Sequence, residues 1–162
     1  MWKWLRNKKG HFLPLLVRIV ARLYGPFLGA GIRVKQVTPD FSFIRVEMPL
    51  TWYNSNYVGT QFGGSIYAMT DPFYMLMLIQ ILGPGYIVWD KGANIEFKKP
   101  GRKRLVAEFR WTEAETEEVR KRTANGEKYV FDREVMVHDT DGLEVARVIK
   151  TLYVRKKEAV AN

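Results

Sequence analysis

The sequence contains no cysteine and only two histidines, His11 and His138. Without cysteine there can be no disulfide, no thiol nucleophile and no thiolate-held zinc or iron–sulfur site, a pattern that fits a cytoplasmic protein. The two histidines form no HxxH or HxxxH pair, so no metal site is expected. Acid is scarce as well. Against 26 Lys and Arg stand 17 Asp and Glu, giving a net charge of +9 and a pI near 9.8. Such an excess attracts something anionic: nucleic acid, a membrane surface, or a phosphorylated substrate. Internal repeats and low-complexity tracts are also lacking, and 162 residues suffice for one domain with a real core.

What is present reads as strands around one apolar helix. The opening stretch, MWKWLRNKKGHFLPLLVRIVARLYGPFLGAG, is basic and then apolar, as a signal peptide would be, but Arg18 and Arg22 interrupt it. With His11 they form one polar stripe, which predicts an amphipathic helix over about residues 11 to 24 packed on the body. Trp2 and Trp4 among Lys and Arg would also suit weak contact of this helix with a membrane surface. GIRVKQVT and FSFIRVEMP, separated by Pro39-Asp40, predict a hairpin. Ile66 to Leu82 is at about the lower length limit for a membrane span, but Asp71 and Pro72 inside it argue for a buried helix, kinked just past Asp71.

Beyond Gly83-Pro84-Gly85, YIVWDKGANIEFKKP predicts a long strand with a bulge near Gly92. In KRLVAEFRW, Leu105, Ala107, Phe109 and Trp111 alternate with Val106, Glu108 and Arg110, as in a half-buried strand. TEAETEEVRKRTANG is acidic first and basic last, which suits a helix dipole, with Asn125-Gly126 as its stop. EKYVFDREVMVHD and LEVARVIKTLYVRK, joined through Asp141-Gly142, supply two last strands, with Tyr129, Phe131, Val135 and Val137 on one face of the first. The class is therefore α+β: an antiparallel sheet of about five to six strands wrapped around a central hydrophobic helix. Residues 1–30 are read as an N-terminal extension, 31–157 as the domain and 158–162 as a disordered tail.

This order of elements resembles the hotdog fold. Asn56-Tyr57-Val58-Gly59-Thr60-Gln61-Phe62-Gly63-Gly64, followed by Asp71, is similar to the stretch N-x-x-G-T-x-H-G-G-(x)6-D of PaaI-like hotdog acyl-CoA thioesterases. The spacing matches throughout, and Phe62 stands where that family has histidine. The resemblance implies that the Gly63 N–H polarises a thioester carbonyl, that Asp71 acts as base or nucleophile, and that Asn56 helps to position the reacting groups. It also draws Thr60, Phe62 and Gly64 toward the substrate.

The chemistry agrees with that assignment. Two glycines at a helix start allow close approach to unpaired backbone N–H groups that can stabilise an oxyanion. A desolvated aspartate could activate water or attack directly. Ser65 beside the glycines has neither a GxSxG context nor a histidine partner, so it is not read as a nucleophile. The basic turn KKPGRKR offers Lys98, Lys99, Arg102, Lys103 and Arg104 to the phosphates of coenzyme A or of an acyl-carrier phosphopantetheine. Nucleic acid is not expected, because the alternation turns the aromatics inward.

The expected activity is thus hydrolysis of an acyl-CoA-like thioester with no cofactor beyond the coenzyme A of the substrate. The alternatives are a non-catalytic acyl- or lipid-binding hotdog protein and a hotdog dehydratase. On one straight helix the backbone of Asp71 would lie roughly 10 to 12 Å from the glycines at about 1.5 Å per residue. A shared site would then need a neighbouring subunit, in a homodimer or a dimer of dimers.

Overall fold

A computed structural model describes residues 12–157. Alternation sets most of it. Along β4 (Leu105–Arg110) the side chains of Leu105, Ala107 and Phe109 are fully buried and Arg110 is exposed, so one face must meet a core. The same rule governs β1 (Arg33–Val37), β2 (Phe43–Met48), β5 (Lys128–Asp139) and β6 (Glu144–Lys156). With β3 (Tyr86–Phe97) they form one antiparallel six-stranded sheet in the order β1-β2-β4-β5-β6-β3. The expected hairpin is the β1–β2 pair, and the expected bulge interrupts the β3–β6 ladder between Asp90 and Gly92.

The stretch Gly63–Leu82 is long and apolar enough, by length and composition, to cross a bilayer. Here it lies against the sheet, with Ile66, Met69, Phe73, Met77 and Leu78 buried. This is the hotdog arrangement. The expected kink is a complete break, leaving α3 (Gly63–Ala68) and α4 (Phe73–Leu82) as separate helices. Pro72 offers no N–H to the carbonyl of Ala68 and pushes Asp71 away from helical backbone angles. Thr70 completes the interruption: its Oγ1 donates to the Tyr67 carbonyl at 2.8 Å. Helical bonding resumes where Leu76 N–H meets the Pro72 carbonyl at 2.9 Å. Asp71 therefore sits in a gap between two helices rather than on one.

Ahead of the sheet, α1 (Phe12–Leu23) packs Leu13, Val17 and Ala21 into the same core. Its expected first residue, His11, is outside the described residues, as is the expected tail 158–162. A second short helix, α2 (Gly25–Ala30), follows with Pro26 in its first turn and Gly31 closing it at φ 74°. After β4, α5 (Glu113–Arg122) starts with a capping box in which Thr112 Oγ1 accepts from Glu115 N–H and the Glu115 carboxylate accepts from Thr112 N–H. The acidic first turn and basic last turn take the places the dipole favours.

Candidate active site

The loop before α3 is built by two side chains. Asn56 Oδ1 accepts from the Val58 and Thr60 N–H groups at 3.1 and 3.0 Å, while its Nδ2 donates to Thr60 Oγ1 at 2.8 Å and the Gln61 carbonyl at 3.4 Å. All of its hydrogen-bonding capacity is thus committed to its own loop, so Asn56 acts on any bound group through the loop's shape. Gln61 then ties the loop to the basic turn. Its N–H donates to the Gly101 carbonyl at 2.8 Å, and its Nε2 donates to the carbonyls of Met48 and Lys103 at 3.2 and 3.3 Å. A Cβ at position 101 would lie 3.1 Å from the Gln61 side chain, tighter than ordinary packing, so the turn runs close against Gln61 here. Nothing in the local sequence pattern singled out Gln61 for this role.

Because of that tie, the motif and the basic turn share one cleft of about 440 Å³. Asn56, Thr60 and Gly63 line it together with Lys98, Lys99 and Arg102. The other two expected phosphate ligands are not in the lining: Lys103 pairs with Asp141, and Arg104 with the buried Glu47 at 2.9 Å. Lys98 makes a looser pair with Glu144 at 3.3 Å, whereas Lys99 and Arg102 form no ion pair among the described residues. Gly63 and Gly64 donate no backbone hydrogen bond among the described residues; the first helical bonds run from Ser65 and Ile66 to the Phe62 carbonyl at 3.0 and 3.1 Å. Both glycines are close-packed. A Cβ on Gly63 would lie 2.9 Å from the Phe97 ring, and one on Gly64 would lie 2.4 Å from the Phe62 ring. Phe62, in the histidine position, is half-exposed and folds its ring over Gly64.

Asp71 is not among the residues lining this cleft. It meets Lys150, whose side chain is 1% exposed, at 2.8 Å through Oδ1. The same oxygen accepts from Tyr67 Oη at 3.0 Å. No group among the described residues bonds Oδ2, and the Asp71 side chain is 48% exposed. One carboxylate oxygen is anchored and the other is free to meet solvent or substrate. The desolvated aspartate expected here is a different residue. Asp90, on the inner face of β3, lies 3.4 Å from Lys150 through Oδ2, and its buried Oδ1 has no hydrogen-bond partner among the described residues. Burial lifts the Asp90 carboxyl to about 6, against the pull of Lys150 and with the repulsion of Asp71. Burial also opposes the charge on Lys150, but the bond to Asp71 and the attraction of both carboxylates outweigh it and raise its pKa.

Lys150, Asp90 and Tyr67 were missed in the sequence, although β6 carried a signal. Its inward positions 146, 148, 152 and 154 are Ala, Val, Leu and Val, all buried, and only position 150 is charged. A lysine in that row requires a carboxylate opposite it. Asp71 supplies it, which accounts for an acid in the gap of the core helix. Among the described residues no group of three or more His, Asp or Glu could hold a metal ion.

Residues 14–154 match the model of a family described as a domain of unknown function, DUF4442. The chain belongs to the DUF4442 family. Among curated proteins nothing matches it. Its fold is shared with solved structures at low identity. PA5026 from Pseudomonas aeruginosa, a protein of unknown function described as a probable thioesterase, superposes with a TM-score of 0.79 at 17% identity over 88% of this chain and 95% of that one. Thioesterase HI1161 from Haemophilus influenzae gives 0.66 at 14% identity over 95% and 98%. A variant of thioesterase PA1618 from Pseudomonas aeruginosa gives 0.65 at 13% identity over 93% and 98%. These likenesses establish the hotdog fold of this DUF4442 chain and nothing finer.

Proposed function

We propose that this DUF4442 chain hydrolyses the thioester of an acyl-CoA-like substrate. The observation that carries the reading is the single cleft lined by Gly63 together with Lys98, Lys99 and Arg102. A thioester carbonyl against Gly63 N–H gains a hydrogen bond that strengthens as the oxyanion forms, and the nucleotide phosphates of the same molecule then meet the cations. Asp71, with Oδ1 held by Lys150 and Tyr67, presents Oδ2 to water or to the carbonyl carbon. Water adds to that carbon, the carbon–sulfur bond breaks, and the thiolate leaves with the proton the carboxylate accepted. Neither a metal nor a redox group is needed for these steps.

Since Asp71 lies outside the cleft of its own chain, the reading requires a second subunit to bring its Asp71 to the Gly63 hole. Support for such pairing comes from β3, a twelve-residue strand at the sheet edge whose residues from Lys91 to Asn94 are all exposed. The test is thiol release from short, long and aromatic acyl-CoAs by the purified chain and by Asp71→Asn. Turnover should fall at least ~100-fold in the variant with KM little changed, as for loss of a base. Full activity in Asp71→Asn would sink the assignment. A second reading, a non-catalytic acyl-binding protein, draws on the Asp71–Lys150 pair as a purely structural ion pair; it predicts acyl-CoA binding with no thiol release from any substrate.

A further inference from the structure

The chain's charge is concentrated at one end. Its first 39 residues hold eight Lys and Arg and no Asp or Glu, whereas the remainder carries eighteen cations against seventeen acids. Nearly all of the net charge therefore belongs to the N-terminal segment and the first strand. Four of those cations lie within the described residues, and all are exposed: Arg18 and Arg22 on α1, Arg33 and Lys35 on β1. None of the four forms an ion pair among the described residues, although Lys35 acts at a distance on the buried Glu47.

The same cations border bare hydrocarbon. With Leu13, Val17 and Ala21 facing the core, α1 turns Leu15, Ile19 and Leu23, at i, i+4 and i+8, outward at 49, 48 and 69% exposure. Leu15 and Ile19 share a shallow groove of about 280 Å³ with Arg18, Arg22, Arg33 and Lys35. A surface helix normally keeps its outward face polar, so an aliphatic row set among unpaired cations calls for an occupant that is at once apolar and anionic.

We propose that this face of α1 docks on an anionic lipid bilayer, with Leu15, Ile19 and Leu23 entering the acyl boundary and Arg18, Arg22, Arg33 and Lys35 meeting lipid phosphates. Charge decides among the occupants. A second copy of the chain would set its own arginines against these, and the eleven residues before α1 bring four more cations. A nucleic acid would neutralise the charge but leave the aliphatic row in water. A bilayer with anionic headgroups satisfies both. The chain would lie on the surface without spanning it, since the opposite side of α1 is packed into the core.

The full-length protein is cosedimented with vesicles of phosphatidylcholine alone and with about one-quarter phosphatidylglycerol, at about 0.05 M and about 0.5 M salt. The expected result is at least ~10-fold tighter partition onto anionic vesicles at low salt, lost at high salt. Replacing Leu15, Ile19 and Leu23 together by Gln should weaken that partition at least ~10-fold, and replacing Arg18, Arg22, Arg33 and Lys35 by Gln should remove the anionic preference. All seven positions are exposed, so both variants should melt as the wild type does by circular dichroism. No binding to anionic vesicles at low salt overturns the proposal. So does undiminished binding of the leucine and isoleucine variant, which would leave charge alone, and so does a change of that variant confined to oligomeric state. Tighter binding to a single-stranded oligonucleotide than to the vesicles overturns it as well.

Discussion

Asp90 is the acid whose ionisation this fold opposes, and its effect on stability has a definite sign. Its ordinary pKa is 3.8, and in the folded chain burial lifts it to about 6. Between those values the folded state holds more protons than the unfolded state, so this group's contribution falls as pH rises, and the loss is complete once pH passes the folded pKa. Holding the carboxyl at about 6 instead of 3.8 costs roughly 3 kcal/mol at most. Asp90→Asn mimics the protonated acid. Its stability relative to wild type, from urea unfolding, should therefore climb by about 2 to 3 kcal/mol between about pH 4 and about pH 7 and then level off. A difference independent of pH would mean that Asp90 is solvated, and that Lys150 depends on Asp71 alone.

At the scale of elements, the alternation of β4, the bulge in β3 and the acid-to-base order of α5 were all legible, because each is set by neighbours within a few residues. The break at Asp71 was half legible: Pro72 announced a kink, but Thr70 bonding back to Tyr67 turned it into a gap. α2 went unread, being six residues long and ending at a glycine. Of the basic turn, the sequence offered five cations without distinction. The fold separates them, because Gln61 holds Gly101 against the motif loop and so directs Lys98, Lys99 and Arg102 into the cleft, while Lys103 and Arg104 meet acids elsewhere. Replacing Lys98, Lys99 and Arg102 by Gln should then raise KM for an acyl-CoA about 10-fold or more and flatten its salt dependence, with kcat nearly unchanged. The pair Lys103→Gln and Arg104→Gln should shift KM less than about 3-fold. Equal effects of the two sets would return the turn to an undirected basic tip.

For the whole molecule, what the sequence concealed is what joins distant segments. Lys150 and Asp71 are 79 residues apart, and only the packing of the sheet against the helix gap brings Lys150 of β6 to Asp71. The resemblance carried by Asn56, Gly63 and Asp71 named residues on one chain, yet one chain keeps Asp71 out of the cleft that holds the other two. A straight helix is no longer the reason, since the helix ends at Ala68. The requirement for a second subunit stands on the cleft lining instead, and it has a test independent of any lattice. Asp71→Ala removes the carboxylate, and Gly63→Val drives a side chain into Phe97, whose ring lies 2.9 Å from where even a Cβ would be. Each variant alone should be inactive. If each site draws Gly63 from one chain and Asp71 from the other, random exchange makes about half the dimers mixed, and each mixed dimer has one site with both residues intact. Activity should then recover to roughly a quarter of wild type. A mixture that stays inactive after exchange has been verified by mass-tagged subunits would refute the shared site and leave Asp71 as the partner that Lys150 requires.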